Sequence, residues 1–281
     1  MEATICFIGA GNMSLSLIGG LLASGYEKSR ILATDPNNDR RREVTQSMGI
    51  RCIEHNIEAA NQADIIVLAV KPQQLEGVCR ELAPTVKARG SLLISIAAGV
   101  RSRDINGWLG DDAAIIRTMP NTPALIGSGA TGLYANDRVN EAQKSQAEHI
   151  LRAAGLTAWV QHESDLDAVT AVSGSGPAYY FLFMEAMQAA GQKLGLDEST
   201  ARLLTIQTAF GAAKMALESR DDCASLRQKV TSPNGTTEKA IQSFEQQHFR
   251  DIVEQAMTAA RNRAIELADE LGHTHNNDSA R

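Results

Sequence analysis

The chain has 281 residues, 43% hydrophobic and 21% charged, which supplies a core for one or two globular domains and excludes disordered, collagenous and coiled-coil readings. With 27 basic and 33 acidic residues the net charge is −6, so no basic surface is at hand to neutralise a phosphate backbone, and no nucleic-acid partner is expected. The longest apolar runs, Ile65 to Val70 and Ser91 to Val100, fall well short of the roughly 20 residues of a membrane span, so no membrane partner is expected either.

The chain opens on a strand-like stretch, Ala3 to Ile8, rather than on a secretory signal, and a cytoplasmic protein is expected. Asn12 to Ser24 follows with apolar residues at helical spacing, among them Met13, Leu17 and Leu21. The alternation continues with a strand at Arg30 to Thr34, a helix at Arg40 to Met48, a strand at Ile65 to Val70, a helix at Gln73 to Val86 and a strand at Leu92 to Ile96. Continuous apolar runs such as Ile65-Ile66-Val67-Leu68 suit parallel strands covered on both faces by helices. Ala114 to Arg117, Ala130 to Tyr134 and Leu156 to Val160 read as further strands, with a helix at Glu141 to Ala154.

Strand signals then stop. Helical stretches are expected at Ala178 to Leu194, Ser199 to Glu218, Ala224 to Val230, Thr236 to Glu245 and Phe249 to Leu271. The expected organisation is therefore an α/β Rossmann-like domain with a mostly parallel sheet over residues 1–164, an all-α domain over 165–272, and a polar tail over 273–281. Alanines at 209, 212, 213, 259, 260 and 264 permit close helix approach, within one bundle or between subunits. Cys6, Cys52, Cys79 and Cys223 form no close pair, which suits reduced thiols; no metal site is expected.

The first strand runs into Gly9-Ala10-Gly11-Asn12-Met13-Ser14, a dinucleotide fingerprint with serine in place of the final glycine or alanine. Asp35, at the end of the second strand, is placed to meet a free ribose 2′-hydroxyl and favours NADH, whereas Arg40, Arg41 and Arg42 supply positive charge that suits a 2′-phosphate. Ala69-Val70-Lys71-Pro72 and the Ile96-Ala97-Ala98 segment sit at later strand ends, which line the ligand crevice in such sheets. Ser173 to Pro177 and Thr231 to Thr237 each lead into a helix, where unpaired amides suit a substrate carboxylate and Ser or Thr serves equally as an ordinary N-cap.

Together Gly9 to Met13, Ala69 to Pro72, Met119-Pro120-Asn121-Thr122-Pro123, Ser173 to Ala178 and Ser232 to Thr237 resemble pyrroline-5-carboxylate reductases over residues 3 to about 271. Asn234 stands where the family usually has a glycine, so that turn requires it to accept a positive φ. The resemblance implies reduction of 1-pyrroline-5-carboxylate to L-proline with NADPH, NADH being a second donor. It also implies a homodimer through the helical domain, which assembles further in some members. Carried over, Thr237 is the expected catalytic residue; Glu163, Ser175, Pro177, Ser232, Gly235 and Thr236 join it around the substrate, and Asn56 contacts the cofactor ribose. The alternatives are a β-hydroxyacid-type dehydrogenase, whose lysine is missing from Ala178 to Ala190, and a non-catalytic dinucleotide sensor.

Overall fold

A computed structural model describes residues 2–273 of the chain. It begins with β1 (Ile5–Ile8), α1 (Asn12–Ala23), β2 (Ile31–Thr34), α2 (Asn38–Met48), β3 (Arg51–Ile53), α3 (Asn56–Ala60), β4 (Ile65–Leu68), α4 (Pro72–Arg89) and β5 (Leu92–Ser95). Then come α5 (Ser102–Leu109), β6 (Ile115–Met119), β7 (Gly129–Ala135), α6 (Glu141–Arg152) and β8 (Gly155–Trp159). The strands form one sheet in the order β3-β2-β1-β4-β5-β6-β7-β8, parallel except where β7 runs against β6. Its first six strands follow the 3-2-1-4-5-6 order of a doubly wound dinucleotide fold, with the topological switch between β1 and β4.

The sheet carries a core on each face. One is built on Phe7, Leu17, Leu21, Ile31, Val67 and Ile94, the other on Cys6, Ile8, Leu32, Ile66, Leu75, Leu93 and Ile105. Every residue of β1, β2, β4 and β5 is buried, which is why these strands read as continuous apolar runs rather than alternating ones.

After β8 come α7 (Asp165–Val169), a π-helical turn (Thr170–Gly174), α8 (Gly176–Lys193), α9 (Glu198–Glu218), α10 (Cys223–Lys229), α11 (Thr236–Gln246) and α12 (Phe249–His273). The chain divides into two compact units: one holds everything up to Ser175 together with α12 from Ala260 onward, the other Gly176–Ala259. This division differs from the boundary expected at residue 164. Leu166 and Val169 of α7 lie over Gly132 of β7, where an added Cβ would stand 2.7 Å from Val169 Cγ1, so the chain stays with the sheet until Ser175. The polar tail expected at 273–281 lies outside the described residues, apart from His273 at the end of α12.

In the helical unit α9 carries apolar residues around its whole circumference, a pattern of helices enclosed on all sides. Yet Tyr180, Phe181, Leu182, Leu203, Leu204, Phe210 and Leu217 are exposed on the single chain. An apolar surface of that extent marks an association face. Among the described residues no helix is long and apolar enough to cross a membrane.

Candidate active site

Gly9 turns the chain out of β1 with φ of +99°, and a Cβ there would lie 2.9 Å from the Ala69 carbonyl oxygen, so only glycine lets the ends of β1 and β4 meet this closely. Ala10 is buried beneath the turn, while the space beside Gly11 is open: a Cβ would meet nothing within 4 Å. Gly11 is the N-cap of α1 and no side chain caps it, which leaves the first amides of the helix, at Asn12 and Met13, free for an anion. Ser14, the departure from the fingerprint, is buried and donates its hydroxyl to the Gly9 carbonyl at 2.6 Å, bracing the turn from within. This cradle fits a dinucleotide pyrophosphate.

At the end of β2 the Asp35 carboxylate accepts from the Asn37 amide at 2.9 Å and from the Ala10 amide at 3.4 Å. Two guanidinium groups flank it. Arg40 donates to the Ala10 carbonyl at 2.8 Å and pairs with Glu43, and Arg41 donates to the Asp35 carbonyl at 2.9 Å and pairs with Glu54. The carboxylate and two of the three arginines read separately from the sequence, Arg40 and Arg41, thus belong to one cluster around the turn, while Arg42 is exposed. Asn56, the first residue of α3, accepts from the Thr34 hydroxyl at 2.7 Å and donates to Glu81 at 3.0 Å, so its amide is fixed at the same edge.

The ends of β4 and β5 complete this side. Ala69 donates its amide to Ile8 at 2.9 Å and Ile96 donates to Leu68 at 3.1 Å, keeping both segments against the sheet beyond the strands. Ala98 is exposed at the mouth while Ala97 is buried. Lys71 is exposed as the N-cap of α4, and Pro72 occupies the first helical position, where its missing N–H costs nothing.

The loop that continues from Ile96 to Arg101 is held by groups distant in sequence. Leu271 packs over Gly99, Arg101 pairs with Asp269 at 2.7 Å, and Glu163 caps α5. Glu163, expected at the substrate ring, engages both carboxylate oxygens here: it accepts from the Ser102 amide at 2.6 Å, the Ser102 hydroxyl at 2.7 Å and Arg117 at 3.1 Å. Arg117 projects from the middle of β6 and is only 5% exposed, so it requires this anion. Asp167 is buried in the same region; burial raises its pKa above the ordinary aspartate value despite the nearby charges of Arg117, Arg101 and Arg261. The sequence reading missed Arg117 as a member of the site region, although an arginine inside an apolar strand was a signal that a partner had to exist.

Ser175 closes the π-turn, its amide donating to the Thr170 carbonyl at 2.8 Å. Pro177 lies in the first turn of α8. In the helical unit, Gly235 is the N-cap of α11, again without a side-chain cap, so the amides at the start of this helix are open where Thr236 and Thr237 stand exposed. The preceding turn is closed by the Gly235 amide donating to the Ser232 carbonyl at 3.0 Å. Asn234 takes φ of +59°, as the turn demands of it, and donates its amide to Glu238 at 2.9 Å. Among the described residues no group of His, Cys, Asp and Glu is arranged to hold a metal ion.

The sheet order and the glycine turn opening on an uncapped helix define a dinucleotide-binding oxidoreductase fold. Residues 163–267 match the family model for pyrroline-5-carboxylate reductase dimerisation, and residues 4–99 match that for NADP oxidoreductase, coenzyme F420-dependent. The chain is 53% identical over 268 residues to a pyrroline-5-carboxylate reductase of Pseudomonas aeruginosa, covering 95% of this chain and 98% of that protein. The solved pyrroline-5-carboxylate reductase of Coxiella burnetii superposes with a TM-score of 0.93 at 47% identity, over 95% of this chain and 99% of the other. That of Plasmodium falciparum, solved with NADP bound, does so with a TM-score of 0.82 at 30% identity, over 95% and 98%. The chain belongs to the pyrroline-5-carboxylate reductase family.

Proposed function

We propose that the protein reduces 1-pyrroline-5-carboxylate to L-proline, the last step of proline synthesis, with NADPH as donor and NADH as a second donor. The observation that carries this reading is the Thr231 to Thr237 turn, which delivers an uncapped helix N-terminus and a threonine hydroxyl together, in a chain 53% identical to a reductase of that name. When bound, NADPH supplies the hydride. The protein's own groups bind and orient. Beyond the N-cap Gly235, the amides at Thr236 and Thr237 take the substrate carboxylate, favoured by the helix dipole, with the Gly235 amide bound to the Ser232 carbonyl to close the turn beneath them. The Thr237 hydroxyl accepts a hydrogen bond from the protonated ring nitrogen. An iminium is a far better hydride acceptor than a neutral imine, and its reduction yields a secondary amine without a further acid. Ser175 and Pro177 wall the ring, with Glu163 near it, where its carboxylate also holds the loop that follows Ile96 to Ala98.

The cofactor segments are Gly9 to Met13, Asp35, Asn56, Ala69 to Pro72 and Ile96 to Ala98, all on the sheet-bearing unit. The helical region, residues 165–272, carries the substrate and dimer roles, and its exposed apolar residues are covered by a second copy of the chain; further assembly of such dimers completes the proposal. The four free cysteines fit a cytoplasmic enzyme, without nucleic-acid or membrane partners.

Oxidation of NADPH in the presence of 1-pyrroline-5-carboxylate, with L-proline as the product, is the test; tight NADPH binding without oxidation would return the protein to the sensor reading. The cluster around Asp35 adds a second expectation. Asp35→Ser removes the anion facing the 2′ position and leaves Arg40 and Arg41 in place, so the Michaelis constant for NADPH should fall about tenfold relative to that for NADH. Equal changes for the two donors would remove Asp35 from cofactor discrimination.

A further inference from the structure

The Met119-Pro120-Asn121-Thr122-Pro123 segment has no part in the hydride transfer or in the binding of either ligand as assigned to the other residues. Asn121 leaves β6 in an extended conformation, φ −132° and ψ 167°, ahead of a 3-10 turn at Thr122–Ile126 that its side chain does not cap. The side chain turns elsewhere: Oδ1 accepts from the Ala130 amide at the start of β7 at 2.9 Å, and Nδ2 donates to the Ser173 carbonyl at 3.1 Å.

Ser173 lies in the π-helical turn Thr170–Gly174. In an α-helix its carbonyl would accept from the residue four positions on, which here is Pro177 and has no N–H. The turn and the proline together deprive that carbonyl of its ordinary donor, and Asn121 supplies a replacement across the chain. Met119 closes the same side: a Cβ on Gly174 would stand 2.5 Å from Met119 Cε. One short segment thus holds two consecutive residues of the π-turn, Ser173 through a hydrogen bond and Gly174 through packing. Turns of this kind inside helices recur at functional sites.

We propose that Asn121 is a positioning residue for the reaction: it fixes the π-turn so that Ser175 and Pro177 are presented to the substrate ring. This rests on the assignment of those two residues to the substrate wall. The test compares wild type, Asn121→Asp and Asn121→Ala for the Michaelis constant of 1-pyrroline-5-carboxylate, the dissociation constant of NADPH and the melting temperature. Asn121→Asp keeps the acceptor for Ala130 and sets a second oxygen against the Ser173 carbonyl. Its Michaelis constant for the imine should rise about tenfold, the loss of one hydrogen bond with an added repulsion, while NADPH affinity stays within about twofold. The gap to wild type should narrow as pH falls toward the titration of the new carboxyl, because the protonated acid again donates to Ser173. Asn121→Ala should raise the same constant without that pH dependence.

An unchanged Michaelis constant in both variants of an active enzyme would overturn the proposal. So would equal losses of imine and NADPH affinity, or variants that fail to fold, either of which would assign Asn121 to stability alone. A wild-type enzyme that does not reduce the imine would instead overturn the underlying reading, and the inference with it.

Discussion

Thr237→Ala is expected to lower turnover of 1-pyrroline-5-carboxylate about 100-fold while NADPH affinity changes less than about twofold. Thr237 is the second residue of α11 and is exposed on the single chain, so removing its hydroxyl and methyl leaves no core cavity. Its effect on folding should stay within about 0.5 kcal/mol. The loss falls on turnover because the hydroxyl's partner, the protonated ring nitrogen, is adjacent to the carbon that accepts hydride. Thr237→Ser keeps the hydroxyl and should recover most of the rate. Steady-state kinetics on the three proteins checks this, and unaltered turnover in Thr237→Ala would remove the residue from the mechanism.

Glu163→Ala has the other large expected effect, and it falls on stability. Arg117 would remain in β6, 5% exposed, without its hydrogen-bonded carboxylate, and α5 would lose the acceptor of its Ser102 amide. Stranding a buried charge costs about 3 kcal/mol, and the lost cap about 1 kcal/mol more. Nearby Asp167 offsets part of this. Adding Arg117→Met should restore much of the stability, since replacing a buried pair by apolar side chains is often neutral. Denaturant unfolding of the single and double variants measures both. A Glu163→Ala enzyme of wild-type stability with a selectively raised Michaelis constant for the imine would confine the role of Glu163 to the substrate ring.

These two residues illustrate what the chain alone discloses. The β1-turn-α1 unit was legible because its information is local: an apolar run, Gly9 and Gly11, then helical spacing from Asn12. The positive φ at Asn234 followed in the same way from one departure at a tight turn. The structural partners of Glu163 could not be read from the chain because they are non-local, Ser102 lying 61 residues away and Arg117 46. The strand read as Ala114 to Arg117 extends to Met119 for the same reason: a charge that reads as a strand end is neutralised by a distant carboxylate and stays inside the sheet.

Several short elements escaped the periodicity, α7 among them. β3 has three residues at the sheet edge and only partial burial, so no alternation develops. α3 has five residues, too few for a helical stripe. α5 did carry a signal, Ile105 and Leu109 one turn apart before Gly110, but its N-terminal cap comes from Glu163 and could not be found locally. The segment from Ser173 to Pro177 reads as the lead into a helix, yet its first two residues end a π-turn that follows α7, where Asn121 and Met119 satisfy and pack them from another strand end. The Asp35 cluster shows the converse: each charge was visible in the sequence, and only the fold placed the carboxylate and both guanidinium groups around one turn.

The most direct measurement of the central claim follows the hydrogen that is transferred. With NADPH deuterated at the transferring position of nicotinamide C4 and unlabelled 1-pyrroline-5-carboxylate, the account predicts L-proline carrying a single deuterium, on the ring carbon that had been doubly bonded to nitrogen. Proline formed without the label, or no proline from an enzyme that binds NADPH, would contradict it.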